Sequence, residues 1–182
     1  MHQEEYHLIR LCKRGHQKAQ MQLYDQYCAA MFTIANRYLN NEEDTKDVMQ
    51  EGFLKAFRNI ETYQPEATFG AWLKRIIINQ CLDVLKKKQL KFDEVDVSEM
   101  KLTNEDDWYF DSSITKLEIV NAIEQLNEKH RIVVKLYLLE GYDHEEISDI
   151  LDIPIKTSRT HLRRGKLKLQ DLLKQKYNEA RY

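Results

Sequence analysis

Four side chains near the end of the sequence could do chemistry on a polyanion. Arg159, Thr160, Arg163 and Arg164, with Lys166 at the edge, fall on one face of a helical stretch, while Ser158, Leu162, Gly165, Leu169 and Leu172 share the opposite face. Aligned guanidinium and ammonium groups hold phosphates or read guanine edges, and a threonine can touch either. No acid joins this face before Asp171. Gly165 costs roughly 1 kcal/mol against Ala in a helix interior, so its position predicts a close helix crossing. A short helix precedes the basic one. It opens on Asp143-His144-Glu145-Glu146, with Asp as N-cap and Glu at N3, and ends at the Ile153-Pro154 turn. A short capped helix, a tight turn and a longer basic helix make a helix-turn-helix. A merely solvated amphipathic helix has no reason to carry that capped partner.

A second set lies in residues 44–88, read as two helices joined by a loop around Pro65. On the first, Met49, Phe53, Ala56, Phe57 and Ile60 share a side, and Asp47, Gln50, Glu51, Leu54 and Arg58 fall opposite. The polar stripe is either an ordinary solvated face or a docking surface with one exposed leucine. The second helix, with Thr68 as N-cap, is apolar nearly all round its middle. Its exception is Arg75, Asn79 and Lys86, and it ends in Lys86-Lys87-Lys88. Asn79 either satisfies a buried backbone group or hydrogen-bonds an unstacked base. Tyr63, Phe69 and Trp72 read as core by type. Tyr63 and the 64–68 loop could instead line a pocket for a flipped base, because stacking is how single strands are gripped.

No catalytic grouping accompanies these faces. The sequence has no Gly-rich phosphate loop, no His-x-x-x-His and no Cys-x-x-Cys, and its six histidines are scattered without ligand spacing. The expectation is a protein that is not an enzyme and holds no metal or cofactor. Cys12, Cys28 and Cys81 have no paired spacing, which fits unpaired thiols in a reducing cytosol. The opening residues do not read as a signal peptide, and no apolar run approaches the roughly 18 residues that span a bilayer.

The elements that must position these residues are helices. With 2 Pro and 5 Gly in 182 residues, a turn-rich β architecture is disfavoured. Residues 4–39 read as two helices broken at Gly15-His16. The second carries Leu23, Tyr27, Ala30, Met31, Ile34, Ala35 and Tyr38 at i, i+3, i+4 spacing. Asn40-Asn41 ends it, and Glu42-Glu43-Asp44 opens the next. Residues 89–112 are acidic and without period, and read as a linker. Four more helices follow: 114–126 with Leu117, Val120, Ile123 and Leu126; 128–140 with Ile132, Val133, Leu136 and Leu139, capped by Gly141; a short one with Ile147, Ile150 and Leu151; and the last from about Thr157 to Tyr177. The fold class is therefore all-α: two small helical domains, 1–88 and 113–182, joined by an acidic linker, the second a helix-turn-helix domain.

In this order the motifs resemble the extracytoplasmic-function (ECF) subgroup of sigma-70 type bacterial RNA polymerase sigma factors, over nearly the whole length. Leu23-Tyr24-Asp25-Gln26-Tyr27 through Arg37-Tyr38-Leu39 is similar to the family's first helix. The run from Asp47 to Phe57 is similar to its core-polymerase-binding helix, the run from Phe69 to Asn79 to its promoter-melting helix, and the run from Tyr137 to Leu169 to its helix-turn-helix. The resemblance implies that Asp47, Gln50, Glu51 and Leu54 bind the core enzyme. It implies that Tyr63, Thr68, Trp72, Arg75, Asn79 and Lys86 serve the minus-ten element, Asn79 and the 63–68 loop capturing a flipped base while Arg75 and Lys86 steady phosphates. It implies that Lys156, Thr157, Arg159, Thr160, His161, Arg163, Arg164 and Lys166 serve the minus-thirty-five element in the major groove. The implied partners are core RNA polymerase, promoter DNA as duplex and melted strand, and an anti-sigma factor, all without membrane insertion and in the cytoplasm. His16, Gln20, the Lys156-Thr157-Ser158 triplet and His161 depart from the commonest family pattern; the last two bear on promoter sequence. Two rival readings use the same residues: a stand-alone helix-turn-helix regulator that binds duplex DNA without polymerase, and a helical protein-binding module, against which the basic face of residues 159–166 argues.

Overall fold

The computed structural model describes residues 2–87 and 114–179; the expected 89–112 linker lies outside the described residues. The fold is all-α, and the chain divides into two units, residues 1–89 and 90–182.

The first unit holds α1 (His2–Lys13), α2 (Gln17–Leu39), α3 (Glu42–Arg58), a single 3-10 turn (Ile60–Thr62) and α4 (Phe69–Lys87). Asn40 stops α2 by adopting the left-handed conformation at φ 48°, which Asn tolerates better than bulkier residues. Asn41 then caps α3, its side chain accepting from the Asp44 N–H at 2.9 Å. Helices α2, α3 and α4 pack against one another and α1 packs on α2. Leu23, Ala35, Phe53, Ile77 and Cys81 belong to the core, each nearly or wholly removed from water. Burial of each large side chain contributes about 1.5–3 kcal/mol, so the amphipathic pattern, rather than helix propensity, holds the bundle. Met49, Phe53, Ala56 and Ile60 are buried as their spacing predicts. Phe57 is half-buried and Ala30, at the margin of the α2 stripe, is exposed. Burial pushes the Cys12 thiol up to about 11 and the Cys81 thiol up to about 12, and all three cysteines are free.

The second unit holds α5 (Lys116–Glu124), α6 (Glu128–Val134), a π-helical segment (Lys135–Leu139), α7 (His144–Leu151) and α8 (Ile155–Glu179). Two expectations need correction. The helix expected from Ile114 starts at Lys116, because Thr115 is its N-cap in a reciprocal box with Glu118. That register leaves Leu117 68% exposed instead of in the core. The helix expected over 128–140 also changes pitch at Lys135, where the Glu140 N–H bonds back to the Lys135 carbonyl at 3.1 Å. Lys135 itself is buried, its ammonium 2.7 Å from Glu124 on α5. Gly141 closes the segment at φ 79°, a conformation that costs Gly little. Helix α8 begins two residues before Thr157, with the Pro154 carbonyl accepting from the N–H groups of Thr157 and Ser158. The close crossing predicted at Gly165 is present: a Cβ there would lie 2.5 Å from Val134 Cγ2 on α6.

Candidate nucleic-acid and protein interfaces

Three surfaces carry the residues singled out from the sequence. On α3, Asp47, Gln50 and Glu51 are exposed and Leu54 is 46% exposed, whereas Met49 and Phe53 are buried. The acids Glu42, Glu43 and Asp44 occupy the first turn of this helix, where the helix dipole favours negative charge. Beside the stripe runs an apolar groove of about 1120 Å³ between α2 and α3, lined by Met21, Tyr24, Phe32, Phe53, Leu54 and Phe57 among others. Sequence reasoning passed over this groove. Its signal is a second apolar line on α2, Met21, Tyr24, Cys28 and Phe32, at helical spacing beside the buried one.

The second surface follows the 3-10 turn. Thr68 caps α4, its hydroxyl accepting from the Ala71 N–H at 3.2 Å. Thr68, Arg75 and Lys86 are exposed and Trp72 and Asn79 half-buried, and helical geometry puts all five on one stripe. Tyr63 does not stand open at the head of it. The ring is 9% exposed, packs edge-on against Phe69 and Trp72 at centroid distances of 5.6 Å, and donates its hydroxyl to the Ala67 carbonyl at 2.9 Å. Of the two readings left open for Tyr63, the core reading describes its position, and its hydroxyl ties down the loop at Ala67. Burial, then the carboxylates of Glu5 and Glu66, push the Tyr63 phenol up.

The third surface is the helix-turn-helix. Asp143 accepts from the N–H groups of Glu145 and Glu146, each at 2.8 Å, while Glu146 accepts from the Asp143 N–H at 3.0 Å. The turn is pinned by the Ser148 hydroxyl, which donates to the Ile153 carbonyl at 2.6 Å. His144 reaches across from α7 to Ser158 on α8, ring nitrogen to hydroxyl, at 2.9 Å. On α8, Lys156, Arg159 and Arg164 are exposed and Arg163 and Lys166 half-buried, with the Lys166 ammonium 5.5 Å from the centre of the Tyr137 ring. Lys156, Arg159, Arg163 and Lys166 form one continuous line at spacings of three, four and three, and Arg164 stands to its side.

The outward placement of Thr160 needs correction. Thr160, with Thr157 and His161, is buried, at 4%, 6% and 3% exposure. Helices α5, α6 and α7 all pack on α8, so its inward face is wider than a two-helix contact requires. Thr160 satisfies its hydroxyl within the helix by donating to the Lys156 carbonyl at 2.9 Å. His161 lies with its ring centroid 5.3 Å from that of His130 on α6. His130 is pushed below its ordinary value by burial first, then by Arg164 and Lys129.

Among the described residues no group of His, Cys, Asp and Glu is placed to hold a metal ion, and no helix is long and apolar enough to cross a membrane.

These surfaces fall within segments shared with known proteins. Residues 23–91 match Sigma-70 region 2 and residues 116–169 match Sigma-70, region 4, together about two thirds of the chain. The chain is similar to the ECF RNA polymerase sigma factor SigW of Bacillus subtilis, 28% identical over 177 residues covering 91% of this chain and 95% of that one. It is also similar to the ECF RNA polymerase sigma-E factor of Escherichia coli (strain K12), 29% identical over 87% of this chain and 88% of that one. The sigma factor RpoE of Bartonella quintana, solved in complex with the anti-sigma factor NepR, shares the fold at a TM-score of 0.55 and 18% identity over 85% of this chain and 96% of that one. With both segments matched in order and full-length relatives on either side of the match, the chain belongs to the ECF subgroup of the sigma-70 family.

Proposed function

We infer that the three surfaces divide the work of an ECF sigma factor, which binds core RNA polymerase, recognises the minus-thirty-five and minus-ten elements and initiates transcription. Residues 1–88 act as the polymerase-binding and minus-ten domain, 89–112 as an acidic linker and 113–182 as the minus-thirty-five domain. Asp47, Gln50, Glu51 and Leu54 dock on the core enzyme. Thr68, Trp72, Arg75, Asn79 and Lys86 receive the opened minus-ten strand, with Tyr63 holding the loop from within. Lys156, Arg159, Arg163, Arg164 and Lys166 hold the minus-thirty-five duplex, and Thr157, Thr160 and His161 act on it through the packing of α8. The chain works in the cytoplasm and makes or breaks no covalent bond. Capture of unpaired bases supplies the free energy for strand opening. An anti-sigma factor that covers one of these surfaces holds the chain inactive, as NepR binds its own RpoE.

One observation carries this reading: a single chain pairs a cationic line on a helix-turn-helix with a separate stripe of Trp72, Arg75 and Asn79 beside a capped loop. A stand-alone regulator needs the first and has no use for the second. Equilibrium binding of the full chain to core polymerase tests the docking face. The wild type binds, and Asp47→Lys/Glu51→Lys weakens binding by about tenfold or more, as expected when rim charges are reversed. Equal binding by the two proteins would remove α3 from the interface.

A further inference from the structure

Helix α1 lies ahead of the segment that matches Sigma-70 region 2, yet it is fastened to the minus-ten loop. Lys13, in its last turn, donates to the Tyr63 carbonyl at 3.4 Å and lies 3.8 Å from the Glu61 carboxylate. The side chain of Lys13 is 30% exposed, so its stem is partly covered while Glu61, at 70%, stays in water. At the other end of α1, Glu5 accepts a hydrogen bond from the Tyr27 hydroxyl. The Tyr27 ring packs on Phe69 at a centroid distance of 5.4 Å, and Phe69 packs in turn on Tyr63 and Trp72. The fit is close: a Cβ at Gly70 would lie 2.9 Å from Tyr27 Cε1. Tyr63 completes the ring by donating to the Ala67 carbonyl. Burial first, then its bond to Glu5 and the Glu5 carboxylate, push the Tyr27 phenol up.

We propose that α1 is a brace for strand capture: Lys13, and Glu5 through Tyr27, are positioning residues that hold the 63–68 loop and Trp72 in the geometry that receives the unpaired minus-ten base. A loop of six residues between the 3-10 turn and α4 has many conformations to lose. The brace removes that loss before DNA arrives, which raises strand affinity without adding a contact to DNA. The idea rests on the assignment of this loop to the minus-ten strand.

The test uses the full chain assembled with core polymerase. The probe is a fluorescent single strand carrying the non-template minus-ten sequence of a promoter on which the wild-type holoenzyme initiates. Lys13→Met keeps the apolar stem and deletes the donor. It is expected to weaken strand binding about fivefold to tenfold, the scale of one charge-assisted hydrogen bond, with core binding and thermal midpoint unchanged. Lys13→Arg restores binding to within about twofold of wild type, and Tyr27→Phe, which cuts the Glu5 link, weakens it by a smaller factor. Asn79→Ala separates the two levels of the argument. If Asn79→Ala loses strand binding while Lys13→Met and Tyr27→Phe do not, the brace alone is overturned. Should Asn79→Ala bind the strand as well as wild type, the minus-ten reading of the loop fails and the brace with it. A loss in Lys13→Met that merely tracks a lower thermal midpoint, and that Arg does not rescue, also overturns the brace.

Discussion

Two residues decide how the second unit holds together. Gly165 admits α8 against Val134 and His130. Gly165→Ala gains about 1 kcal/mol of helix propensity but forces a methyl into a space 2.5 Å from Val134 Cγ2, which costs about 1–3 kcal/mol in overpacking. The expected result is a net loss near 1 kcal/mol, read as a lower denaturation midpoint at unchanged m-value; a gain in stability would show that the crossing is loose. Lys135 is the second. Glu124→Gln removes the carboxylate from a buried ammonium, and is expected to destabilise by about 2 kcal/mol, moderated by the partial exposure of Glu124. Lys135→Met is expected to change stability by less than about 1 kcal/mol, because an apolar side chain of similar length fits the same place. Chemical denaturation of both variants checks the ordering. At this scale the sequence was an uneven guide. The caps at Thr68 and Asp143 were legible because each is a bond between near neighbours, and the one at Gly141 because its positive φ suits glycine. The burial of Thr160 and His161 was not, because it depends on three helices from elsewhere in the chain meeting α8.

The helices themselves were largely readable, since apolar spacing at 3.6 residues is written into each of them. What escaped were changes within an element. The π-helical segment begins at Lys135, a buried lysine paired with Glu124 on another helix, and periodicity within one segment carries no trace of that pairing. The groove between α2 and α3 was missed because Met21, Tyr24 and Phe32 form a second apolar line on a helix whose first line already accounts for its core. The contact of α6 with α8 carries a pH dependence whose sign is fixed. His130 has a folded-state value below its ordinary 6.5. Above that pH both folded and unfolded chains hold it neutral, and it contributes no penalty. As pH falls below 6.5 the unfolded chain takes up a proton that the folded one resists, so stability is lost on the acid side. Around His130 stand Lys129 on its own helix and Arg164 and His161 on α8, none of which favours the imidazolium. Amide hydrogen exchange in α6 and α8 should quicken, after correction for intrinsic rates, between pH 7.5 and 5.5, and His130→Gln should flatten that trend. A flat profile in the wild type would place the histidine in water.

At the scale of the whole chain, no single number announces the function. The formal net charge is −2, and the bases proposed to meet DNA are gathered on α4 and α8 rather than spread through the composition. What made the family legible was the order of four local motifs, each a modest signal alone. The candidate residues fared differently according to what they must face. Those on exposed stripes, such as Asp47, Arg75 and Arg159, were legible from the helical wheel, whereas Tyr63 needed the aromatic cluster of Phe69 and Trp72 to show which side it takes. The central claim is that this chain directs core polymerase to promoters, and run-off transcription measures it directly. Core polymerase, a linear genomic template pool and the wild-type chain together should give discrete transcripts that neither protein gives alone. Asp47→Lys/Glu51→Lys should reduce those transcripts about tenfold or more. Discrete footprints on DNA by the chain alone, with no transcript added to the background of the core enzyme, would contradict the account.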